Sequence, residues 1–281
     1  MSRWIRILGC LLVLLVIAEL AVGQARRRGS RRQVETDRYG VPTWESHPTM
    51  PKDVFTFARI RYNSYGGGGW RWGGGWATDY RDADLNFSYR LNEMTALKTD
   101  PEGTVIELTE PNLTDYPFIY LIEPGALGFS DEEVTALRNY LLSGGFLMVD
   151  DFWGDDEWEN FEREIKRVCF DRTIEDLPPE HEIFHLVFTL PPSPQIPNIQ
   201  QGWASQFTGV TWEPDKNPGA RVPHYRAIFD DQRRPMVIIC HNTDLGDGWE
   251  REGENEYYFR EFSEKIAYPL GINILFYAMT H

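Results

Sequence analysis

Cysteine is scarce in this chain, which has three among its 281 residues. Cys10 lies in an N-terminal segment with the pattern of a cleaved signal, so a processed chain keeps Cys169 and Cys240. Two cysteines in a large domain cannot build the dense disulfide framework of a small secreted protein. Cys240 ends an apolar run and is expected to be buried, and whether the two thiols form a single bridge stays open.

Positive charge is also in short supply, because 28 lysines and arginines accompany 43 aspartates and glutamates. The formal net charge of −15 repels polyanions, so nonspecific binding of nucleic acid is not expected. The acidic balance and the 14% of aromatic residues instead suit cations, sugars or basic protein partners.

The longest apolar run lies at the start of the chain. Residues 7–22 are nearly all apolar, basic residues precede them, and Ala21-Val22-Gly23 offers a small-residue cleavage site. A membrane span needs about 20 apolar residues, whereas this run is shorter and contains Glu19. The pattern therefore predicts a signal peptide over residues 1–23. We therefore expect an exported protein, periplasmic or extracellular, with no stable membrane span after cleavage.

The segment after the predicted signal bears on export. Five arginines lie between positions 26 and 32, and positive charge there resists translocation, so an N-terminally membrane-anchored chain is the alternative. Residues 24–52 have no hydrophobic period and are predicted to be a flexible linker. Residues 53–281 are predicted to form a single α/β domain.

The sequence also lacks the motifs of common catalytic sites. It contains no HExxH, CxxC or EF-hand spacing for a metal, no GxGxxG or P-loop for a nucleotide, and no GxSxG nucleophile elbow. Two apolar runs end on Glu123-Pro124-Gly125 and on Asp150-Asp151, without a hydroxyl or a thiol. We therefore expect neither nucleophilic catalysis nor a cofactor.

Apolar runs that alternate with amphipathic segments predict an α/β fold. The clearest helix signal is Ser130 with Glu133, a capping box before an apolar stripe that Gly144-Gly145 ends. Continuous apolar strands between helices indicate a mostly parallel sheet covered on both faces, a three-layer sandwich. The predicted strands are residues 55–63, 104–108, 117–123, 146–149, 225–229 and 236–240. Three further helices are predicted: one over residues 79–97, one that begins near Asp155, and one over residues 267–279.

The most unusual segment is YGGGGWRWGGGWATDY at residues 65–80, directly after the first predicted strand. Its seven glycines and three tryptophans fit either a flexible linker or a surface that meets a ligand. Because the large apolar faces of Trp70, Trp72 and Trp76 are poor linker material, the ligand surface is favoured, with Asp79 near its end.

Charged side chains follow the predicted strands, where ligands bind in open parallel sheets. Arg61 is in the first strand, Asp150 and Asp151 follow the fourth, and Asp244 follows the last. If these strands are neighbours, the carboxylates converge and need a proton, Arg61 or a divalent cation to offset them. The alternative is that the two adjacent aspartates cap the next segment or pair with Arg61. The candidate metal ligands are Asp150, Asp151, His181, His241 and Asp244.

Residues 243–250, with the sequence TDLGDGWE, follow the last apolar strand and carry Trp249. Their aspartates and glycines predict a tight turn. This turn either closes a loop or lies beside the glycine–tryptophan segment, where the two would form an aromatic-lined pocket.

Several blocks of the sequence resemble one known family. In order across residues 55–280 they are WATDY, YPFIYLIEPG, LRNYLLSGGFLMVDDFWG, LPPEHEIF, TDLGDGWE and YPLGINILFYAMT, and they resemble the bacterial family catalogued as domain of unknown function 4159. The resemblance implies a flavodoxin-like fold related to class I glutamine amidotransferases. It implies no activity, since no reaction is established for the family, and the cysteine that an amidotransferase needs at the strand end is absent.

These features predict an exported, non-catalytic domain of the cell envelope that binds a ligand or partner at its strand ends. A glycan is the expected ligand, because tryptophan faces and acidic side chains suit sugar rings and hydroxyls, and an envelope protein is the other expected partner. The competing hypothesis is a metal-assisted hydrolase acting on a glycan or a related envelope substrate. The residues expected to bind the ligand are Arg61, Trp70, Trp72, Trp76, Asp79, Asp150, Asp151, Asp244 and Trp249.

Overall fold

A computed structural model of the chain describes residues 44, 54–64, 75–216 and 218–281. The predicted signal, nearly all of the predicted linker, and Trp70 and Trp72 lie outside these residues. All described residues belong to one compact unit, residues 38–281.

Seven strands of the described residues form a mixed, mostly parallel sheet. They are β1 (Ala58–Ile60), β2 (Thr104–Ile106), β3 (Phe118–Ile122), β4 (Phe146–Asp150), β5 (Ile174–Asp176), β6 (His224–Phe229) and β7 (Pro235–His241). Their spatial order is β2-β1-β3-β4-β7-β6-β5. The strands from β2 to β7 in this order are parallel, whereas β6 pairs antiparallel with both β7 and β5. The predicted mostly parallel α/β sheet is therefore confirmed, with an antiparallel edge in addition.

Helices cover both faces of this sheet. They are α1 (Asp82–Met94), α2 (Asp131–Leu142), α3 (Gly154–Val168), α4 (Ile199–Thr208), α5 (Leu245–Glu250) and α6 (Tyr268–Thr280), and a π-helical stretch, Phe259–Ala267, leads into α6. Side chains alternate along each strand, so Tyr120 of β3 packs with α1, α5 and α6, while Leu121 packs with α2 and α3. Both faces of β3 and β4 are buried, which explains their continuous apolar runs.

Two segments differ from what the sequence predicts. Within residues 243–250, Leu245–Glu250 form the helix α5 instead of a turn, because the Asp244 carboxylate accepts a hydrogen bond from the Asp247 N–H at 2.6 Å and caps the helix. Gly248 permits the close packing of this helix, since a Cβ there would lie 2.5 Å from the Cβ of Ala267. The strand β5 and the helix α4 have no counterpart among the predicted elements.

The cysteine question is settled by the two-sided core. Cys169 and Cys240 are buried and free, and they pack in the apolar clusters on opposite faces of the sheet. A bridge between them would have to cross the sheet, which disulfide geometry forbids. In the described part of the chain, no helix is long and apolar enough to cross a membrane.

The capping box of α2 is confirmed and yields a stability prediction. The Ser130 hydroxyl accepts from the Glu133 N–H at 3.2 Å, and the Glu133 carboxylate accepts from the Ser130 N–H at 2.7 Å. Ser130→Ala should lower the free energy of unfolding by about 1 kcal/mol, because an N–H of the first turn loses its acceptor. Urea unfolding would measure this loss. Ser130→Asp, which keeps an acceptor, should lose less, and equal stability of the two variants would contradict the prediction.

Candidate functional site

A pocket of about 210 Å³ lies where the parallel strands end, and we call it the rim pocket. Glu123 directly follows β3, Asp151 directly follows β4, and Asp244 follows β7. Asp79 enters it from the segment between β1 and α1. The side chains that line the rim pocket are Thr78, Asp79, Glu123, Asp151, Trp153, Glu157, Asn198, Gln200, Glu213, Lys216, Asp244, Asp247 and Arg251.

Three of the lining carboxylates crowd together, and we call them the acidic triad: Asp79, Asp151 and Asp244. Each contributes an oxygen atom, and these three oxygens lie within 4.8 Å of one another. All three side chains are buried. Burial raises the pKa of each carboxyl well above its usual range, and the negative charges of neighbouring carboxylates raise it further. The pocket thus gathers carboxyl groups whose ionised form is disfavoured both by burial and by their mutual repulsion.

Hydrogen bonds orient two members of the acidic triad. The Asp151 Oδ1 accepts from the indole N–H of Trp153 at 3.0 Å, and the Asp244 Oδ1 accepts from the Asp247 N–H at 2.6 Å. The third member, Asp79, is different, because its buried Oδ2 has no hydrogen-bond partner among the described residues. A side chain at position 246 would clash with this oxygen, because a Cβ there would lie only 2.3 Å from it. The glycine at this position therefore leaves space for the Asp79 carboxylate.

The backbone around the rim pocket adopts a conformation that side chains rarely tolerate. Asp79, Glu123, Asp151 and Asn242 have φ values of 58°, 49°, 55° and 61°, in the left-handed region. Each such residue costs about 1 kcal/mol or more, least for aspartate and asparagine. Of six non-glycine residues with positive φ in the described chain, three line the rim pocket, and a fourth, Asn242, directly follows β7. Strain concentrated in this way indicates a functional site.

A buried arginine holds the segment that presents Asp79. The Arg59 guanidinium donates to both carboxylate oxygens of Asp84 at 3.0 Å, and also to the carbonyls of Trp76 and Thr78 at 3.1 and 2.8 Å. It is fully buried, so these bonds replace its water shell. Arg59 therefore fixes the backbone immediately before the acidic triad's first member.

The structure corrects the role expected of Arg61. This side chain is half exposed and forms an ion pair with Glu107, not with Asp150 or Asp151. Arg59 lies within β1, whereas Arg61 lies just beyond its end. The sequence could not show that the inner of the two, Arg59, is the buried one.

Asp150 lies behind the rim pocket and not in its lining. Its Oδ2 accepts from the Tyr120 hydroxyl at 2.9 Å and from the N–H groups of Leu245 and Gly246, both at 3.0 Å. It therefore ties the start of α5 to β3 and β4 instead of capping the segment that follows it. Burial raises its pKa to about 7. We assign Asp150 a positioning role for α5, which carries Gly246 and follows Asp244.

The predicted aromatic and histidine residues lie elsewhere. Trp249 is fully buried in the core, 4.5 Å from the ring of Phe87, and Trp76 packs partly buried against the opposite core. His181 accepts a hydrogen bond from the Ile183 N–H and contacts the ring of Tyr277. Neither metal-ligand group among the described residues includes a histidine. The rim pocket's own tryptophan is Trp153, which the sequence did not single out.

His241 is a structural residue, with both ring nitrogens engaged. Its Nδ1 faces the Arg226 guanidinium at 3.2 Å and must accept, so Nε2 carries the proton and donates to the Gly154 carbonyl at 3.0 Å. Burial, with the adjacent Arg226, lowers the pKa of His241 to about 3. The ring is therefore neutral in the folded protein.

Two cationic side chains line the rim pocket, and both are already paired. Lys216 lies 2.9 Å from Glu157. Arg251 lies 2.6 Å from Glu250 and 3.3 Å from Asp247. Within the described residues, no lysine or arginine forms an ion pair with a member of the acidic triad. These two cations, with Asn198 and Glu213, come from positions that carry no site motif in the sequence.

Comparison with known families decides where this pocket belongs. The model of a family described as a domain of unknown function, DUF4159, matches residues 56–279. The chain belongs to the DUF4159 family. A search of curated proteins found no match. The DUF4159 match spans every strand of the sheet and the whole lining of the rim pocket, so the pocket lies within the matched region of this chain.

The neutral His241 predicts a specific pH dependence. Its pKa falls from 6.5 to about 3 on folding, so its contribution to stability is present above pH 6.5 and is lost as the pH falls toward 3. In His241→Gln the free energy of unfolding should fall less steeply over this window, by up to about 1.4 kcal/mol per pH unit. Urea unfolding of both proteins from pH 8 to pH 4 measures the difference. Parallel pH profiles would refute the assignment.

Proposed function

We propose that the DUF4159 domain of this chain is a ligand-binding domain of the cell envelope whose rim pocket takes a positively charged ligand. The observation that carries this proposal is the charge of the lining. Seven carboxylates and two cationic side chains line the pocket. The carboxylates are Asp79, Glu123, Asp151, Glu157, Glu213, Asp244 and Asp247, and the cations are Lys216 and Arg251.

A cationic ligand would relieve the unfavourable state of these carboxylates. Burial raises the pKa of Glu123 to about 8, and the acidic triad is raised in the same direction. Any cation that enters favours the ionised forms and gains attraction from several charges at once in a poorly hydrated space. Binding energy therefore comes from charges that the fold has already brought together.

The sheet order supports the flavodoxin-like relation as part of this proposal. The parallel strands β2-β1-β3-β4-β7 have the order 2-1-3-4-5 when counted along the chain, which is the flavodoxin-like arrangement. In that arrangement ligands bind where the order reverses, between the first and third strands. Asp79 follows β1 and Glu123 follows β3, so the rim pocket lies at this position. The envelope location rests on the signal pattern of residues 1–23.

A cation fits the described pocket better than a neutral sugar does. The glycan prediction depends on the ring faces of Trp70, Trp72, Trp76 and Trp249, of which the first two lie outside the described residues. Trp76 is partly buried, Trp249 is fully buried, and Trp153 of the rim pocket is 2% exposed. Neither Trp249 nor Trp153 offers a free ring face for stacking on a sugar. We limit the proposal to binding, because the ends of β3 and β4 lack the serine or cysteine of a strand-to-helix nucleophile elbow.

A stability measurement tests whether the crowded carboxylates of the rim pocket destabilise the protein when no ligand is bound. Asp151→Asn keeps the acceptor for Trp153 and the left-handed backbone, yet removes one crowded charge. Without added ligand its free energy of unfolding should exceed that of the unmodified chain by about 1–2 kcal/mol, because residues held for function are often not optimal for stability. Spermidine and Mn²⁺, used as cationic probes, should stabilise the unmodified chain more than this variant.

Two comparisons make that result interpretable. Asp84→Asn also removes a buried carboxylate, but it leaves Arg59 without its partner and should cost about 3–5 kcal/mol. Glu107→Gln, at the exposed pair with Arg61, should change stability by less than about 0.5 kcal/mol. If Asp151→Asn destabilises the protein like Asp84→Asn, and no cationic probe stabilises the unmodified chain, the proposed function is wrong.

A further inference from the structure

We propose that Asp79, Asp151 and Asp244 form the binding site of a single hard divalent cation, of the class of Mg²⁺, Mn²⁺ or Ca²⁺. This inference rests on the proposed function and names the ligand of the same rim pocket. It goes beyond a general attraction for positive charge, because it assigns ligand atoms and a stoichiometry.

The spacing of the acidic triad suits one ion. Oxygen ligands lie about 2.0–2.6 Å from Mg²⁺ or Ca²⁺, so two ligands of one ion are separated by roughly 3–5 Å. The three triad oxygens lie within 4.8 Å of one another. They come from three different chain segments, after β1, β4 and β7, so only the folded sheet creates this arrangement.

Asp79 supplies an independent reason to expect a ligand. The residue is 9% exposed, and its Oδ2 has no hydrogen-bond partner among the described residues. Leaving a buried polar atom unsatisfied costs about 1–3 kcal/mol, and more when the group is charged. Nearby Arg59 does not remove this cost, since its guanidinium bonds to Asp84 and to two backbone carbonyls. A bound cation would satisfy the Asp79 carboxylate.

The other two triad members are already oriented as metal ligands are. Asp151 and Asp244 each use Oδ1 for a hydrogen bond, from Trp153 and from the Asp247 N–H respectively. The Oδ2 atom of each has no hydrogen bond to a described residue and belongs to a side chain that lines the rim pocket. Hydrogen bonds of this kind fix the direction of ligating carboxylates.

A second group of carboxylates shows why we infer one ion and not two. Asp79, Asp247 and Glu250 also place oxygens within 4.8 Å of one another. Here, however, Arg251 lies 3.3 Å from Asp247 and 2.6 Å from Glu250, so its guanidinium already supplies the positive charge. The acidic triad has no such internal cation in the described chain. Arg251 therefore compensates the second group, whereas the acidic triad is left to bind an external ion.

The ligand set selects the class of metal. Carboxylate oxygens suit Mg²⁺, Mn²⁺ and Ca²⁺, whereas Zn²⁺ and Cu²⁺ favour sites with imidazole or thiolate. Neither candidate group among the described residues contains histidine or cysteine. His181 and His241 make other contacts, and Cys169 and Cys240 are buried in the apolar cores.

Titration of the purified full chain with Mn²⁺ tests the inference, with free Mn²⁺ measured by electron paramagnetic resonance. We expect about one bound ion per chain, displaced by Mg²⁺ or Ca²⁺. Asp79→Asn, Asp151→Asn and Asp244→Asn should each weaken binding at least about tenfold, because each removes a charged ligand. Asparagine also serves as a helix N-cap, so Asp244→Asn should leave α5 intact, which circular dichroism can verify.

Two further variants separate coordination from diffuse attraction. Glu213→Gln removes a lining charge but no proposed ligand, and should weaken binding by no more than about threefold. Glu107→Gln, outside the rim pocket, should leave binding unchanged. If Glu213→Gln weakens binding as much as the triad variants do, the assigned ligands are wrong.

A parallel titration with spermidine distinguishes this inference from the proposed function. Binding of spermidine without stoichiometric Mn²⁺ would overturn the metal site and leave the cation-binding pocket standing. Binding of neither probe would overturn both.

Discussion

Three buried carboxylates that meet at the ends of parallel strands are the constraint around which this DUF4159 domain is arranged. Like charges at this spacing cannot all ionise without compensation. The surrounding structure compensates the neighbouring carboxylates in two ways, with arginine partners and with hydrogen bonds. Arg59 pairs with Asp84, Arg251 pairs with Asp247 and Glu250, and Asp150 accepts three hydrogen bonds. No lysine or arginine of the described chain forms an ion pair with the acidic triad, and its member Asp79 keeps a buried oxygen without a hydrogen-bond partner. These two observations together favour the triad as the binding site.

The backbone near the acidic triad is built at the expense of stability. Asp79 and Asp151 occupy the left-handed region, and Gly246 lies in a helix where alanine would be the better helix former. Each choice has a visible reason, because the first two direct carboxylates into the rim pocket and the third makes room for the Asp79 oxygen. Locally unfavourable choices that agree on one location are expected at functional sites.

The sequence predicts the strands and helices of this molecule better than it predicts the residues of the candidate site. Periodicity and the Ser130–Glu133 capping box locate most strands and helices, because both signals are local. The strand-end rule also brings Asp151 and Asp244 to one edge of the sheet. The sequence predicts a turn over residues 243–250, because its glycines disfavour a helix in isolation. The helix α5 forms there because Asp244 caps it, Gly248 packs on Ala267, and the N–H groups of Leu245 and Gly246 donate to Asp150. The exchange of Arg61 for Arg59, and the burial of Trp249, depend on tertiary contacts that no local pattern encodes.

Anomalous X-ray diffraction from crystals of the full chain grown with Mn²⁺ tests the central claim most directly. The account predicts one strong peak, within about 2.0–2.6 Å of an oxygen from each of Asp79, Asp151 and Asp244. It also predicts that the Arg251 guanidinium keeps its contacts with Asp247 and Glu250. A pocket without a peak at millimolar Mn²⁺, or a peak on Asp247 and Glu250 with Arg251 displaced, would contradict it.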